Sequence, residues 1–247
     1  MKPNGSDNHT SPNREFATTH WSLVLVAGLD GSSRAAEAMQ QLCRAYWYPL
    51  YAFIRQRGST PHDAQDLTQE FFAQLLKRRD MATVRREKGK FRSFLLASLQ
   101  HFLTNERKKA GRLKRGGGQT VISIDPASAE QRYASEPSHD LGPDKLFERR
   151  WAMTLLDQAI EHLRQEFVKA GKLPLFERLK IFLTGDENAP PYIDIGAKVG
   201  LSEAAVKMAV SRLRRRYREV LRAQIEQTVA SAEDIEDEIR HLFAALG

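Results

Sequence analysis

The chain has 247 residues, of which 41% are hydrophobic, so it can bury a core in one or two domains. Its net charge of +7 favours a polyanionic partner, and the charge is uneven: residues 85–115 are densely basic, whereas residues 226–238 are acidic. The single cysteine, Cys43, excludes an intramolecular disulfide and is expected to be a small buried hydrophobe. No segment resembles a signal peptide or is apolar enough to span a membrane, so we expect a cytoplasmic protein.

The first predicted elements lie in residues 1–57. Residues 1–33 form an N-terminal extension that is polar at first and then contains a short helix capped near Thr18–Trp21. Helical periodicity starts at Arg34. Pro49 is expected to break or kink this helix before a second piece that ends at Arg57.

A further helix is predicted over Pro61–Arg78, because Thr60 can cap it and Pro61 suits its first position. Its inner face is apolar, and its outer face is acidic and polar, with Asp63, Asp66, Gln69 and Glu70. A solvated surface is the simpler interpretation of that outer face. The functional interpretation is a docking site for a positively charged protein partner, in which charge sets the rate and register of binding.

The next predicted helix, Phe91–Arg107, is both aromatic and basic. Its Arg and Lys side chains could neutralise a phosphate backbone, and exposed aromatic rings could stack on unpaired bases. Phe94 and Phe102 recur at helical spacing, however, which is more typical of core packing. A basic helix end is also favourable without any ligand.

Residues 113–144 have the composition of a flexible linker, with Gly116–Gly118 followed by scattered Pro, Ser and Gly. A structureless segment of this length is uncommon inside one compact domain. We therefore predict a domain boundary there, between helical domains at 34–112 and 145–224. Residues 121–125 are predicted to be a short extended piece, and residues 225–247 an acidic C-terminal extension.

The second domain is predicted to end in a helix-turn-helix. Amphipathic helices at 146–167 and 176–183 precede the segment Tyr192–Tyr217, which has the pattern of two helices joined by a tight turn. Gly200 suits the backbone beyond a helix end, and Ser202 can cap the second helix. Gly196 lies where the two helices must approach closely, which a small residue permits.

The second helix of this unit has two different faces. Its apolar stripe is Val206, Val210, Leu213 and Tyr217. The opposite face carries short and basic side chains, which suit a helix that enters a major groove and holds phosphates at its edges: Ala204, Lys207, Met208, Ser211, Arg212, Arg215 and Arg218. A bundle helix with a solvated basic face is the simpler alternative, and the turn sequence and the arginines clustered at 212–222 speak against it.

The sequence offers little enzyme chemistry. Its seven histidines are scattered, no CxxC or HExxH spacing occurs, and no Gly-rich loop follows a strand. We therefore expect no catalytic residue, no metal site and no cofactor. Because no strand pattern of any length appears, the predicted fold is all-α: two small helical domains joined by a flexible linker, the second with a helix-turn-helix.

The order of these elements strongly resembles the extracytoplasmic-function (ECF) class of bacterial RNA polymerase sigma factors, in the sigma-70 family. PHDAQDLTQEFFAQLL at 61–76 is similar to the family's core-polymerase-binding helix. YIDIGAKVGLSEAAVKMAVSRLRRRY at 192–217 is similar to the domain that binds the upstream (minus-thirty-five) promoter element. Residues 89–109 are similar to the part that recognises and melts the downstream (minus-ten) element, except that Phe94 replaces the usual Trp, His101 the usual Asn and Asn105 the usual Asp.

The resemblance implies three groups of site residues. The group that would bind the clamp region of the polymerase's largest subunit is Asp63, Asp66, Leu67, Gln69, Glu70 and Phe71. The group for the downstream element and its melting is Arg92, Phe94, Gln100, His101, Asn105, Lys108 and Lys109. The group for the upstream element is Ser202, Glu203, Ala204, Lys207, Met208, Ser211, Arg212, Arg215 and Arg218.

The function implied is that of a sigma factor, not an enzyme, which binds core RNA polymerase and both double-stranded and melted promoter DNA. An anti-sigma factor is a further partner that the resemblance leaves room for, and no membrane partner is expected. The main alternative is a stand-alone helix-turn-helix regulator that binds DNA without polymerase. A nucleic-acid-processing enzyme and a nonspecific RNA-binding scaffold are further alternatives. We interpret the acidic tail as a solubilising helix, in preference to a regulatory extension that docks on its own chain.

Overall fold

The computed structural model describes residues 33–77, 91–110, 126–136, 141–185, 189–229 and 232–247. These residues form helices and turns without a strand, which confirms the predicted all-α fold class. Most of the N-terminal extension, the predicted helix at Thr18–Trp21 and the extended piece at 121–125 lie outside them. Within the described part of the chain, no helix is both long and apolar enough to cross a membrane.

The helices follow the predicted order along the chain. The first predicted domain contains α1 (Ser33–Gln56), α2 (Pro61–Lys77) and α3 (Phe91–Ala110). The predicted linker contains α4 (Pro126–Ser135). The second predicted domain contains α5 (Pro143–Lys169), α6 (Leu173–Leu179), a 3-10 helix (Lys180–Phe182), α7 (Tyr192–Val199) and α8 (Glu203–Glu226). The C-terminal extension contains α9 (Asp234–Ala244).

Helix α1 continues through Pro49, so of the predicted break or kink at this residue the break is wrong. A proline inside a helix costs about 3 kcal/mol, because it removes one hydrogen bond and crowds the preceding turn. Large side chains on both sides of Pro49 are fully buried, among them Tyr46, Leu50 and Phe53. Each such side chain contributes about 1.5–3 kcal/mol on burial, so tertiary packing outweighs the local cost.

The core is formed mainly where α5 lies along α1. Trp151 and Phe147 of α5 are fully buried there, and the Phe147 ring meets Phe53 edge-on with its centroid 6.3 Å away. Residues from both predicted domains belong to one cluster of buried side chains, so their described parts pack together. Cys43 is buried in this cluster, as predicted, and burial raises the pKa of its thiol to about 12.

Helix α4 corrects the prediction of a flexible linker for residues 126–136. Ala129 is buried, and the Arg55 guanidinium of α1 donates two hydrogen bonds to the Glu130 carboxylate, at 3.0 and 2.7 Å. On the other side, Arg132 pairs with Asp157 of α5 at 3.2 Å. These partners lie far away in the sequence, which is why local composition failed to predict them.

Helix α9 corrects the interpretation of the tail as a solubilising helix. Ile235 and Leu242 are buried, and α9 packs against α8 and α5. The Arg149 guanidinium of α5 donates to the Leu246 carbonyl at 2.9 Å. The tail therefore docks on its own chain, the interpretation that sequence reasoning had favoured less.

Candidate polymerase and nucleic-acid interface

The turn between α7 and α8 is built as the sequence predicted. Gly200 has φ of 69°, in the left-handed region that ends a helix without a Cβ clash. The carbonyl of Gly196 accepts hydrogen bonds from the N–H groups of Gly200 and of Leu201, the latter at 3.0 Å. A Cβ on Gly196 would lie 2.4 Å from the Leu201 carbonyl oxygen, so only glycine fits without a shift of the backbone.

Helix α8 begins at the predicted cap. The Ser202 hydroxyl accepts a hydrogen bond from the Ala205 N–H at 3.2 Å, which satisfies one donor of the first turn. Glu203 lies in that first turn, where a negative charge is favourable. The start and direction of α8 are therefore fixed locally.

The two faces of α8 are also as predicted. Val206, Val210 and Leu213 are buried, and Tyr217 is half-buried against the same core. The whole group expected at the upstream element is exposed, and Met208 is 55% exposed despite being apolar: Ser202, Glu203, Ala204, Lys207, Met208, Ser211, Arg212, Arg215 and Arg218. A short, exposed and basic face on a capped helix is what insertion into a major groove requires.

The arginines of α8 divide into two sets that the sequence did not distinguish. Arg214 donates to the Phe182 carbonyl at 3.0 Å, and Arg216 binds Glu166 of α5 at 2.6 Å. Arg216 donates hydrogen bonds that hold the pKa of the Glu166 carboxyl below its usual value. By contrast, Arg212 and Arg218 have no ion-pair partner within the described residues, so these cations remain available to a polyanion.

The outer face of α2 presents the predicted acidic and polar side chains. The Thr60 hydroxyl accepts from the Asp63 N–H at 3.1 Å, which confirms the helix cap. The Asp66 side chain is 63% exposed and lies 3.7 Å from His62. Glu70 is exposed and accepts a hydrogen bond from Gln74 at 3.1 Å, and Gln69 is half-buried. This surface can accept positive charge.

Two predicted polymerase contacts lie beneath that surface. Phe71 is buried, and its ring centroid is 5.7 Å from that of Phe102 on α3. Leu67 is half-buried against the core. Phe71 is therefore part of the packing between α2 and α3, and the burial of Phe102 matches the core-packing interpretation.

Most of the predicted downstream group lies along the accessible side of α3. His101 and Lys108 are exposed, and Asn105 lies 3.4 Å from the His101 ring nitrogen. Gln100 is half-buried and donates to Asp144 of α5 at 3.1 Å. Phe94 is half-buried with its ring 6.2 Å from Phe91. The Lys109 side chain lies outside the described residues.

Arg92 differs from the other members of this group, because its side chain is only 3% exposed. Its guanidinium pairs with the buried Glu238 carboxylate of α9 and lies 3.5 Å from Glu148 of α5. It also stacks 4.6 Å from the centroid of the Trp151 ring. Sequence reasoning missed Glu238, although the opposite charges of the 85–115 and 226–238 segments were a signal for such a pair.

Among the described residues, no group of three or more His, Cys, Asp or Glu side chains could hold a metal ion. A nucleic-acid-processing enzyme of the metal-dependent type would need such a group.

Comparison with known proteins gives two findings. Residues 42–113 match the family model of sigma-70 region 2. The chain is also 22% identical over 202 residues to the ECF RNA polymerase sigma factor SigE of Mycolicibacterium smegmatis, an alignment that covers 82% of this chain and 68% of the relative. No solved structure matches the chain significantly.

An all-α chain in which a sigma-70 region 2 segment precedes an exposed basic helix-turn-helix defines a class of transcription initiation proteins. The region 2 match and the similar relative support an ECF-type protein of the sigma-70 family of RNA polymerase sigma factors.

Proposed function

We propose that this sigma factor brings core RNA polymerase to a promoter with two elements, which it recognises with α8 and with α3. The observation that carries the proposal is the exposed basic face of α8, on a helix whose start, turn and buried side are all fixed. The acidic outer face of α2 would serve polymerase and not DNA, because it repels phosphates.

Helix α8 would read the upstream element as double-stranded DNA. Residues near the start of a recognition helix contact base edges, which assigns this role to Ser202, Glu203 and Ala204. Lys207, Met208 and Ser211 follow along the same face, and Arg212, Arg215 and Arg218 would bind bases or flanking phosphates. One good bidentate base contact contributes about 1–3 kcal/mol of discrimination.

Helix α2 would dock on the clamp region of the polymerase's largest subunit. Asp63, Asp66, Gln69 and Glu70 are the groups that a positively charged partner can reach. Leu67 and Phe71 would act from beneath, since their packing on the core sets the orientation of this face.

Helix α3 would contact the downstream element as it melts. Flipping an unpaired base into a protein pocket costs a few kcal/mol of unstacking, which contacts to base and backbone must offset. Phe94, Gln100, His101, Asn105 and Lys108 are the described side chains on α3 that we assign to this task, with Lys109 expected to join them.

The test is co-elution with purified core RNA polymerase on size exclusion. We expect the wild-type chain to co-elute and the Asp66→Arg, Gln69→Ala double variant to lose the complex. Glu226→Arg is the matched control, because it reverses an exposed carboxylate on a different helix, α8, and should leave the complex intact. Failure of the folded wild-type chain to bind polymerase would contradict the proposal.

The alternative is a stand-alone helix-turn-helix regulator, which the same assay addresses. Such a regulator has no need of a sigma-70 region 2 segment, and this chain has one at 42–113. We therefore do not favour it. An anti-sigma factor stays a prediction of the family resemblance.

A further inference from the structure

The Arg92–Glu238 pair joins two parts of the chain that are 146 residues apart. Both side chains are only 3% exposed. Two charges removed from water in this way are stable only when they are paired and well placed, and removal of either partner leaves an uncompensated buried charge. Whether α9 is docked therefore decides whether the Arg92 side chain keeps its buried charge partner.

The other contacts of α9 are of a different kind. Ile235 and Leu242 bury apolar surface against the rest of the chain, and Arg222 of α8 pairs with Glu236 at the exposed side of α9. Helix α9 can therefore be loosened either at its buried charge or at its buried apolar side, whereas the exposed Arg222–Glu236 pair contributes little to docking.

Arg92 is enclosed by two helices only one of which belongs to the tail. Glu148 and Trp151 of α5 form one wall, and Glu238 of α9 forms the other. Movement of α9 would remove the buried carboxylate and open Arg92 to solvent, while the contacts with α5 can persist. The cation would then lie on the helix that we assign to the downstream element.

We propose that α9 is an intramolecular cap: Glu238 holds Arg92 inside the protein, and the full basic surface of α3 becomes available to single-stranded DNA only when α9 moves away. This inference rests on the proposed function of α3. A buried ion pair is weak evidence for stability, because apolar residues of similar volume usually serve as well or better. The geometry instead supports a role in which the Arg92–Glu238 pair covers Arg92 reversibly and so withholds it from nucleic acid.

The first test measures the cap without any nucleic acid or polymerase. Hydrogen–deuterium exchange of α9 amides in the full chain is compared between Glu238→Gln and Glu236→Gln. Both variants remove one negative charge from the same helix, but only the first breaks the buried pair. We expect α9 to exchange on the order of 100-fold faster in Glu238→Gln, with Glu236→Gln close to wild type.

The second test measures whether opening exposes Arg92. A single-stranded DNA oligonucleotide of mixed sequence is titrated at several salt concentrations. One added phosphate contact steepens the slope of log affinity against log salt by about 0.7 for single strands. We expect this change in Glu238→Gln but not in Glu236→Gln, and its loss when Arg92→Gln is added to Glu238→Gln.

A second variant undocks α9 without changing Glu238, and so tests the cap independently of that side chain. Leu242→Asp should undock α9 from its apolar side with Glu238 unchanged, and should steepen the salt slope as Glu238→Gln does. Equal exchange in Glu238→Gln and Glu236→Gln, or open α9 without a change in slope, would each overturn the cap. These results leave polymerase binding untouched, so the failure of the cap and of the proposed function are distinguishable.

Discussion

The two surfaces expected to meet DNA differ in how the folded chain treats their cations. On α8, Arg212, Arg215 and Arg218 face solvent. On α3, Lys108 is exposed but Arg92 is buried in an ion pair with the tail. These three cations of α8 are therefore accessible in the isolated chain, whereas the Arg92 cation of α3 is not.

An arginine in a basic segment has two possible roles, which only its partners distinguish. Arg216 and Arg92 both belong to stretches that sequence reasoning assigned to DNA-facing helices, yet each binds a glutamate of another helix. Arg216 is half exposed, so its ion pair with Glu166 contributes little to stability. Arg92 is buried, so the consequences of losing its partner are large.

The largest effect is expected from removal of the buried cation. Arg92→Gln leaves Glu238 without its charge partner and removes the stacking on Trp151. We expect the free energy of unfolding to fall by about 3–5 kcal/mol. The loss is limited by the free energy of docking α9, because a detached α9 returns Glu238 to water. Urea unfolding followed by circular dichroism measures this change.

Lys108→Gln is the matched control for that experiment. It removes a cation from the same helix at an exposed position, where substitutions usually change stability by less than about 0.5 kcal/mol. If Arg92→Gln lowered the free energy of unfolding as little as Lys108→Gln, Arg92 would not be the buried, ion-paired cation that distinguishes α3 from α8.

A second prediction concerns how the α8 surface is positioned. Two effects compete in Gly196→Ala: Ala is favoured over Gly inside a helix by about 0.5–1 kcal/mol. The added Cβ, however, would lie 2.4 Å from the backbone oxygen of Leu201, and such overpacking costs about 1–3 kcal/mol. We expect the clash to win, since its partner is backbone and cannot rotate away.

The measurement is thermal unfolding together with binding to double-stranded DNA. Gly196→Ala should lower the melting temperature and weaken binding, since the turn that aims α8 must shift. Lys198→Ala, on the exposed side of the same helix, is the control and should leave stability nearly unchanged. If Gly196→Ala raised the melting temperature, the Leu201 carbonyl would be able to move away from the added Cβ at little cost.

What the sequence predicted correctly depends on near neighbours. The caps at Thr60 and Ser202, the left-handed Gly200 and the apolar stripe of α8 each involve residues within a few positions, so local rules suffice. The continuous α1, the docked α4 and the Arg92–Glu238 pair depend on partners tens of residues away. One sequence gives the charges of such segments but does not say which of them meet.

The smallest predicted effect concerns α4, which is held to α1 by the Arg55–Glu130 pair and to α5 by the Arg132–Asp157 pair. Hydrogen bonds from Arg55 lower the pKa of the Glu130 carboxyl below its usual 4.5. A lowered pKa stabilises docking above the usual value, and that contribution is lost as the pH falls through the pKa of the docked state. Burial raises the pKa of Asp157, which pairs with Arg132, so its protonation acts in the opposite direction.

We therefore expect α4 to loosen modestly below about pH 4.5, with an effect under about 1 kcal/mol because the Glu130 side chain is 31% exposed. Exchange protection of α4 amides at pH 6 and pH 4, corrected for intrinsic rates, measures it. Glu130→Gln should remove the pH dependence, because its amide does not titrate in this range. Glu161→Gln alters a carboxylate whose partners among the described residues, Arg164 and Gln165, both lie within α5, so this variant should retain the pH dependence. A pH dependence that survives in Glu130→Gln would contradict the assignment of this effect to the Glu130 carboxyl.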